Sequence, residues 1–160
     1  MSTLLPPDLR ARLHAARPFL LTGLLALLIA GFVAAAIAHA PTRPLVWMVA
    51  YLVLVAGVAQ GVLGLGQALL PAQLPSPRWR AGEWALFNLG NLGVIAGTLL
   101  VRPALVAVGT ALFVAALLAF LLGVRGAGRG WLLHAFRAVL VVTCLGACVG
   151  LALSVARVAV

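Results

Sequence analysis

The chain has 160 residues, of which 65% are hydrophobic and 8% are charged, and its formal net charge is +9. A soluble domain needs charged residues at about a quarter of its positions to cover its surface. This composition therefore excludes a soluble domain and indicates an integral membrane protein. The cations are arginines scattered among apolar runs rather than clustered with aromatic residues, so we predict no nucleic-acid partner.

The apolar runs are continuous, and each is about as long as the roughly 20 residues that a helix needs to cross a bilayer. Strands of a membrane barrel would instead alternate polar and apolar residues. We predict an all-α polytopic membrane protein, a bundle of five transmembrane helices over residues 19–38, 45–69, 84–101, 104–123 and 131–156. Residues 18–160 form this single membrane domain. Residues 1–17 form a short basic segment, either an interfacial helix or a solvated tail.

The arginines predict the orientation of the bundle. If the helices alternate in direction, one side carries Arg10, Arg12, Arg17, Arg78, Arg80, Arg125 and Arg129, and the other carries Arg43, Arg102 and Arg157. By the positive-inside rule, the side with more arginines is cytoplasmic. We therefore expect the N-terminus to be cytoplasmic and the C-terminus to lie on the opposite side. The expected location is the bacterial cytoplasmic (inner) membrane.

Polar side chains collect at the cytoplasmic ends of three predicted helices. At a rise of 1.5 Å per residue, most of them lie within roughly 10 Å of that face. Polar groups without partners are costly in hydrocarbon. We predict a polar intramembrane pocket built from Gln60, Gln67, Glu83, Asn88, Asn91, His134 and Arg137.

Two of these residues are expected to form an ion pair. Arg137 lies about six positions inside the fifth predicted helix, where a charge is costly. Glu83 is the only acidic residue near the predicted membrane, and its depth is similar. We predict that they pair directly or through His134.

Glycines form a second pattern. On the third predicted helix, Asn88 and Asn91 share one stripe, and Gly90, Gly93 and Gly97 fall on nearly the opposite one. This pattern predicts a central helix. Its asparagines would face the second and fifth helices, and its glycines would face the first helix, the fourth helix or another subunit.

Two interpretations of the polar residues remain open. They act as glue between helices, or they form a pocket that binds or passes a small polar or anionic solute, with the protein as an oligomer. A further alternative is an accessory or assembly subunit that contacts itself or other membrane subunits through Gly-rich helix faces. A third is a redox protein that holds a quinone, or a b-type haem through His134, although no second ligand lies at that depth.

The sequence does not indicate an enzyme. No catalytic triad shares a depth and a face, and Asp8 and Glu83 are the only acidic residues, so we expect no catalytic or metal site. Cys144 and Cys148 lie one turn apart in an apolar run and are expected to be packing residues.

Overall fold

The computed structural model of the chain describes residues 7–128 and 130–156, and these residues form helices and turns without strands. Residues 1–6, Arg129 and Arg157 lie outside the described residues, so two of the arginines counted for orientation are not placed. The helices are α1 (Pro7–Ala36), α2 (Arg43–Leu69), α3 (Pro77–Leu99), α4 (Pro103–Gly123) and α5 (Trp131–Ala156).

Four of the helices are long and apolar enough to cross a membrane, namely α1 from Asp8 onward, α2, α4 and α5. These four contain between 21 and 29 residues. They confirm the predicted class, an all-helical integral membrane protein. The fifth helix, α3, has 23 residues but begins with the polar sequence PRWRAGE and is not one of the four.

The first helix begins at Pro7, well before the predicted start, and continues through Pro18. Tertiary contacts hold its first turns, although proline removes a backbone donor from the helix. The guanidinium of Arg12 donates three hydrogen bonds of 3.0 Å to carbonyls where α2 ends and the next loop begins, those of Ala68, Pro71 and Ala72. Segment 7–17 is therefore attached to the bundle.

The third helix also begins earlier than predicted, at Pro77 instead of Trp84. Ser76 caps it by accepting a hydrogen bond of 3.2 Å from the backbone N–H of Trp79. Proline follows at the first helical position, where its missing N–H costs nothing. The residues interpreted as loop are therefore the first turns of α3.

Glycines on α2 allow α1 to cross it closely. The crossing lies where the backbone of α2 adopts π-helical hydrogen bonding, from Leu52 to Ala59. A Cβ atom at Gly57 would lie 2.6 Å from the side chain of Leu27. Only a residue without a side chain admits α1 at this distance.

Glycines on α3 face α4, which confirms the fourth helix as their neighbour. A Cβ atom on Gly90, Gly93 or Gly97 would lie between 2.6 and 2.8 Å from atoms of α4. The contact is reciprocal, because a Cβ atom on Gly109 would lie 2.5 Å from the backbone nitrogen of Val94. The two helices therefore pack backbone against backbone.

The core lies between α1, α3 and α4, where phenylalanine rings pack with centroids 5.0 to 6.1 Å apart. These rings belong to Phe19, Phe87, Phe113 and Phe120. Helix α5 adds Leu133, Phe136 and Leu140 to this core, and Phe136 lies against Gly66 of α2. Because α5 packs against α4 and the end of α2, the expectation that the asparagines of α3 face the fifth helix is wrong.

The α3–α4 contact predicts a difference between two glycines in helix interiors. Alanine favours a helix over glycine by about 1 kcal/mol at either site. At Gly109 the added methyl group forces the backbones of α3 and α4 apart, whereas at Gly31 nothing lies within 4 Å. We expect Gly109→Ala to be less stable than Gly31→Ala by about 1–3 kcal/mol, measured by unfolding in mixed detergent micelles. Equal stabilities would contradict the close contact.

Candidate functional site

Glu83 is buried in a site formed by α2, α3 and α4. It is 1% exposed, and its Oε1 accepts hydrogen bonds of 2.7 Å from Nε2 of Gln67 and from the indole N–H of Trp79. Gln67 is also 1% exposed, and its amide occupies the space that a Cβ atom at Gly123 would fill. We call Gln67, Trp79 and Glu83 the carboxyl–amide site.

The partners of Glu83 in this site are neutral. No arginine or histidine nitrogen among the described residues lies within 4.0 Å of the carboxyl group of Glu83. The ion pair that the described residues do form is on α1, between Arg12 and Asp8 at 3.3 Å. Glu83 lies one residue before the predicted third span. Burial raises its pKa to about 7, while the hydrogen bond from Trp79 and the charge of Arg80 act in the opposite direction.

The predicted pair of Glu83 with Arg137 is not formed, so that prediction is wrong. The side chains of His134 and Arg137 are exposed on α5. Helix α5 packs through positions 133, 136 and 140, which places His134 about 130° from the centre of the packed face and Arg137 at its edge, about 70° away. His134, the candidate haem ligand, therefore lies on the outside of the bundle.

Gln60 belongs to a second polar contact, about two helical turns along α2 from Gln67 and further from the Glu83 end of the bundle. Its Nε2 donates to the hydroxyl oxygen of Thr22, which also accepts a hydrogen bond of 3.2 Å from the indole N–H of Trp84. The Thr22 hydroxyl donates to the carbonyl of Pro18 at 2.7 Å. Since that hydroxyl proton is already used, Gln60 must present its NH₂ group to Thr22, and its Oε1 points elsewhere.

Asn91 forms a third polar contact, between α3 and α2, eight residues after Glu83. The hydroxyl of Tyr51 donates to Asn91 Oδ1 at 2.8 Å, and Asn91 is 3% exposed. Asn88 does not join it, because its NH₂ group donates to the carbonyl of Trp84 in its own helix at 2.8 Å. Of the seven predicted residues, the structure thus places four at the contacts of α2 with α1, α3 and α4.

We call the residues Gln67, Glu83, Gln60 and Asn91 the polar line. From Glu83 to Asn91 it covers about 12 Å of α3, at 1.5 Å per residue. Each member has a buried polar atom without a hydrogen-bond partner, namely Gln67 Oε1, Glu83 Oε2, Gln60 Oε1 and Asn91 Nδ2.

The polar line leads to a cavity of about 170 Å³ at the opposite end of the bundle from Glu83. We call it the far-side cavity. Tyr51 connects the two, because it lines the cavity and donates its hydroxyl to Asn91. The other polar residues of the lining are Arg43, Trp47, Thr98, Thr110 and Ser154. None of the seven predicted site residues lines it, so the predicted pocket and this cavity lie in different places.

Sequence reasoning missed Thr22, Tyr51 and Trp79 as site residues. The predicted span 84–101 leaves Trp79 outside the helices, an error that follows from the late predicted start of α3. Tyr51 is the one tyrosine in the chain and lies inside an apolar run, which is a signal that could have identified it. Thr22 is a mild polar residue in an apolar run and gives no such signal.

Comparison with known proteins identifies no relative. No protein-family model, curated protein or solved structure matches the chain. The function therefore has to be inferred from the chemistry of the site itself.

The contact at Thr22 predicts a difference between two threonines. Thr22→Val leaves the buried NH₂ group of Gln60 and the indole N–H of Trp84 without an acceptor, and we expect a loss of about 2 kcal/mol of stability. Thr98→Val is the matched control, because the hydroxyl of Thr98 donates at 2.8 Å to a carbonyl of its own helix. We expect the control to change stability by less than about 0.5 kcal/mol. Unfolding in mixed micelles compares them, and equal losses would contradict the network.

Proposed function

We propose that the chain is a five-span protein of the bacterial cytoplasmic membrane, with its N-terminus inside, that binds or passes a small polar solute along the polar line. Support for α3 as the fifth span is its uncharged stretch from Trp84 to Leu99, about 24 Å of helix that begins one residue after Glu83. Support for the orientation is the cluster of arginines at the Glu83 end, which includes Arg12, Arg78, Arg80 and Arg125.

The observation that carries the proposal is the series of buried polar atoms without partners. Leaving one such atom unsatisfied costs about 1–3 kcal/mol. If the polar residues served only to join the helices, their buried polar atoms would be satisfied by one another or by the backbone, as the NH₂ group of Asn88 is within its own helix. A solute that forms hydrogen bonds would supply the missing partners. Solute binding therefore explains the unpartnered atoms better than a purely structural role in joining the helices does.

The same atoms favour one class of solute. Three of the four are oxygen acceptors, those of Gln67, Glu83 and Gln60, and one is the NH₂ group of Asn91. The cations expected to attract an anion, His134 and Arg137, are exposed on α5. We therefore favour a neutral or cationic solute rich in hydrogen-bond donors, such as an amide or a small amine, over an anion.

A second candidate function is an oligomer or an accessory subunit that contacts its partner through α5. In the most apolar stretch of α5, 6% of the residues are buried, against 39% for α2 and α4. Gly146 and Gly150 of α5 line the far-side cavity and therefore do not face away from the bundle. The outward face of α5 is formed by Val142, Leu145 and Val149, each more than half exposed. We propose this face for contact with a second copy.

The self-association proposal predicts that shortening the outward side chains of α5 changes the oligomeric state. The variant Leu145→Ala with Val149→Ala removes side-chain atoms from the proposed contact, whereas Leu24→Ala with Leu28→Ala does the same on the exposed face of α1. We expect a discrete homo-oligomer in mild detergent, measured by light scattering after size exclusion. The α5 variant should reduce it to monomers and the α1 variant should not. A wild-type chain that is monomeric in mild detergent would contradict the proposal.

Solute passage is tested with the purified protein in liposomes. The probes are urea, methylammonium, glycerol and formate, and stopped-flow light scattering reports the rate at which each crosses the membrane. We expect urea or methylammonium to cross faster than in protein-free liposomes, and formate to be unaffected. Gln60→Leu and Asn91→Leu should each lower the protein-dependent rate about fivefold, as expected for one lost hydrogen bond of about 1 kcal/mol.

Asn88→Leu is the matched control, since it removes an asparagine whose NH₂ group is bonded within its own helix and which has no buried atom without a partner. It should leave the rate unchanged. Thermal unfolding with the same probes detects binding without passage, as a rise in melting temperature that the Gln60 variant lacks. A protein that neither speeds passage of any probe nor is stabilised by one would overturn the proposal.

A further inference from the structure

Two of the unpartnered oxygens belong to groups that already share a hydrogen bond. Nε2 of Gln67 donates to Oε1 of Glu83 at 2.7 Å, while Oε1 of Gln67 and Oε2 of Glu83 have no partner. Both of these atoms are acceptors when the carboxyl group is ionised. A hydrogen on Glu83 Oε2 would turn that acceptor into a donor, and Gln67 Oε1 is an unused acceptor of the group already bonded to Glu83.

We propose that the carboxyl–amide site is a proton-binding site, in which Glu83 carries a hydrogen on Oε2 and donates it to Oε1 of Gln67. A carboxylic acid and a primary amide are complementary in this way. The amide N–H donates to the carboxyl oxygen, and the acid O–H donates to the amide oxygen. The first of these two bonds is present, and the second needs one proton from solvent. The inference goes beyond solute binding and stands whether or not a solute binds.

The charged groups around the site do not offer an alternative partner. Arg80 is on the same helix, and Arg12 of α1 has its guanidinium bonded to three carbonyls at the end of α2. Arg125 follows α4, and His134 and Arg137 are exposed on α5. None of these places a nitrogen within 4.0 Å of the Glu83 carboxyl group. An ionised Glu83 would be a buried charge without a direct ion pair, with the charge of Arg80 acting on it from beyond 4.0 Å. Burying a charge in this way is costly.

The remaining contacts of the site are compatible with the neutral acid. The indole N–H of Trp79 donates to Oε1, the oxygen that stays a carbonyl when the proton is on Oε2. The amide of Gln67 lies beside Glu83 because residue 123 is a glycine, whose missing Cβ atom leaves it that space. The raised pKa of Glu83 agrees with a group that exchanges its proton near neutral pH.

Infrared difference spectroscopy of the full-length protein in lipid nanodiscs tests the proposal directly. The chain has two acidic side chains, Asp8 and Glu83, so a carboxylic acid band can be assigned with two variants. We expect the carbonyl band of a protonated acid at pH values near 6. It should disappear in Glu83→Gln and persist in the control Asp8→Asn. Absence of the band in the wild type, or its survival in Glu83→Gln, would overturn the proposal.

The role of Gln67 has its own readout. Losing hydrogen bonds at the acid shifts its carbonyl band to higher wavenumber, so Gln67→Leu should shift the band and Gln60→Leu should leave it in place. Gln67→Met, which keeps a similar length, serves if the leucine variant does not fold. A band in the same position in a folded Gln67 variant would exclude the acid–amide pair.

Stability supplies a second test through its dependence on pH. Because the pKa of Glu83 is raised in the folded protein, its contribution to stability is present at low pH and lost as the pH rises through about 7. The melting temperature of the wild type should fall from about pH 5 to about pH 8. That of Glu83→Gln, which keeps the shape and remains neutral, should stay level over this range. A wild type whose melting temperature is level too would contradict a proton held at Glu83.

Discussion

The close contact between α3 and α4 determines where the polar side chains of α3 lie. The glycine face of α3 is fixed against α4 at Gly93 and Gly109, where backbone meets backbone. Once that face is set, helical geometry places Trp84 and Asn91 toward α1 and α2, and Glu83, seven residues before Gly90, at the end of α4. The polar line is therefore a consequence of glycine packing, because any larger side chain there would rotate or displace the helix.

Composition and apolar run length were sufficient to predict the class of fold, and the ends of α2, α4 and α5 lie within two residues of the predicted ones. Depth along the helices also placed Gln67 and Glu83 at the same level, and they are in contact. The direction of α5 could not be predicted in this way. Apart from His134 and Arg137 near its start, that helix is apolar on all sides, so its sequence does not show which face meets the bundle. The misplaced pair of Glu83 with Arg137 follows from this ambiguity.

The early starts of α1 and α3 show a different limit. The polar and proline-containing segments before residues 19 and 84 were interpreted as lying outside the helices. In the structure, contacts distant in sequence hold the first segment, through Arg12 and the carbonyls at the end of α2. The second is held locally by Ser76 and Pro77, a cap that the sequence did display. The missed start of α3 mattered most, because it left Trp79 out of the site.

The proposed solute binding and the proposed proton binding at the carboxyl–amide site would use the same atoms. A hydrogen on Oε2 of Glu83 satisfies Oε1 of Gln67, so the protonated site no longer offers the two acceptors that a donor-rich solute would need. Removal of the proton restores both acceptors and leaves a negative charge that a cationic donor would neutralise. If both proposals hold, proton and solute exclude each other at this site, while Gln60 and Asn91, which do not ionise, remain available in either state.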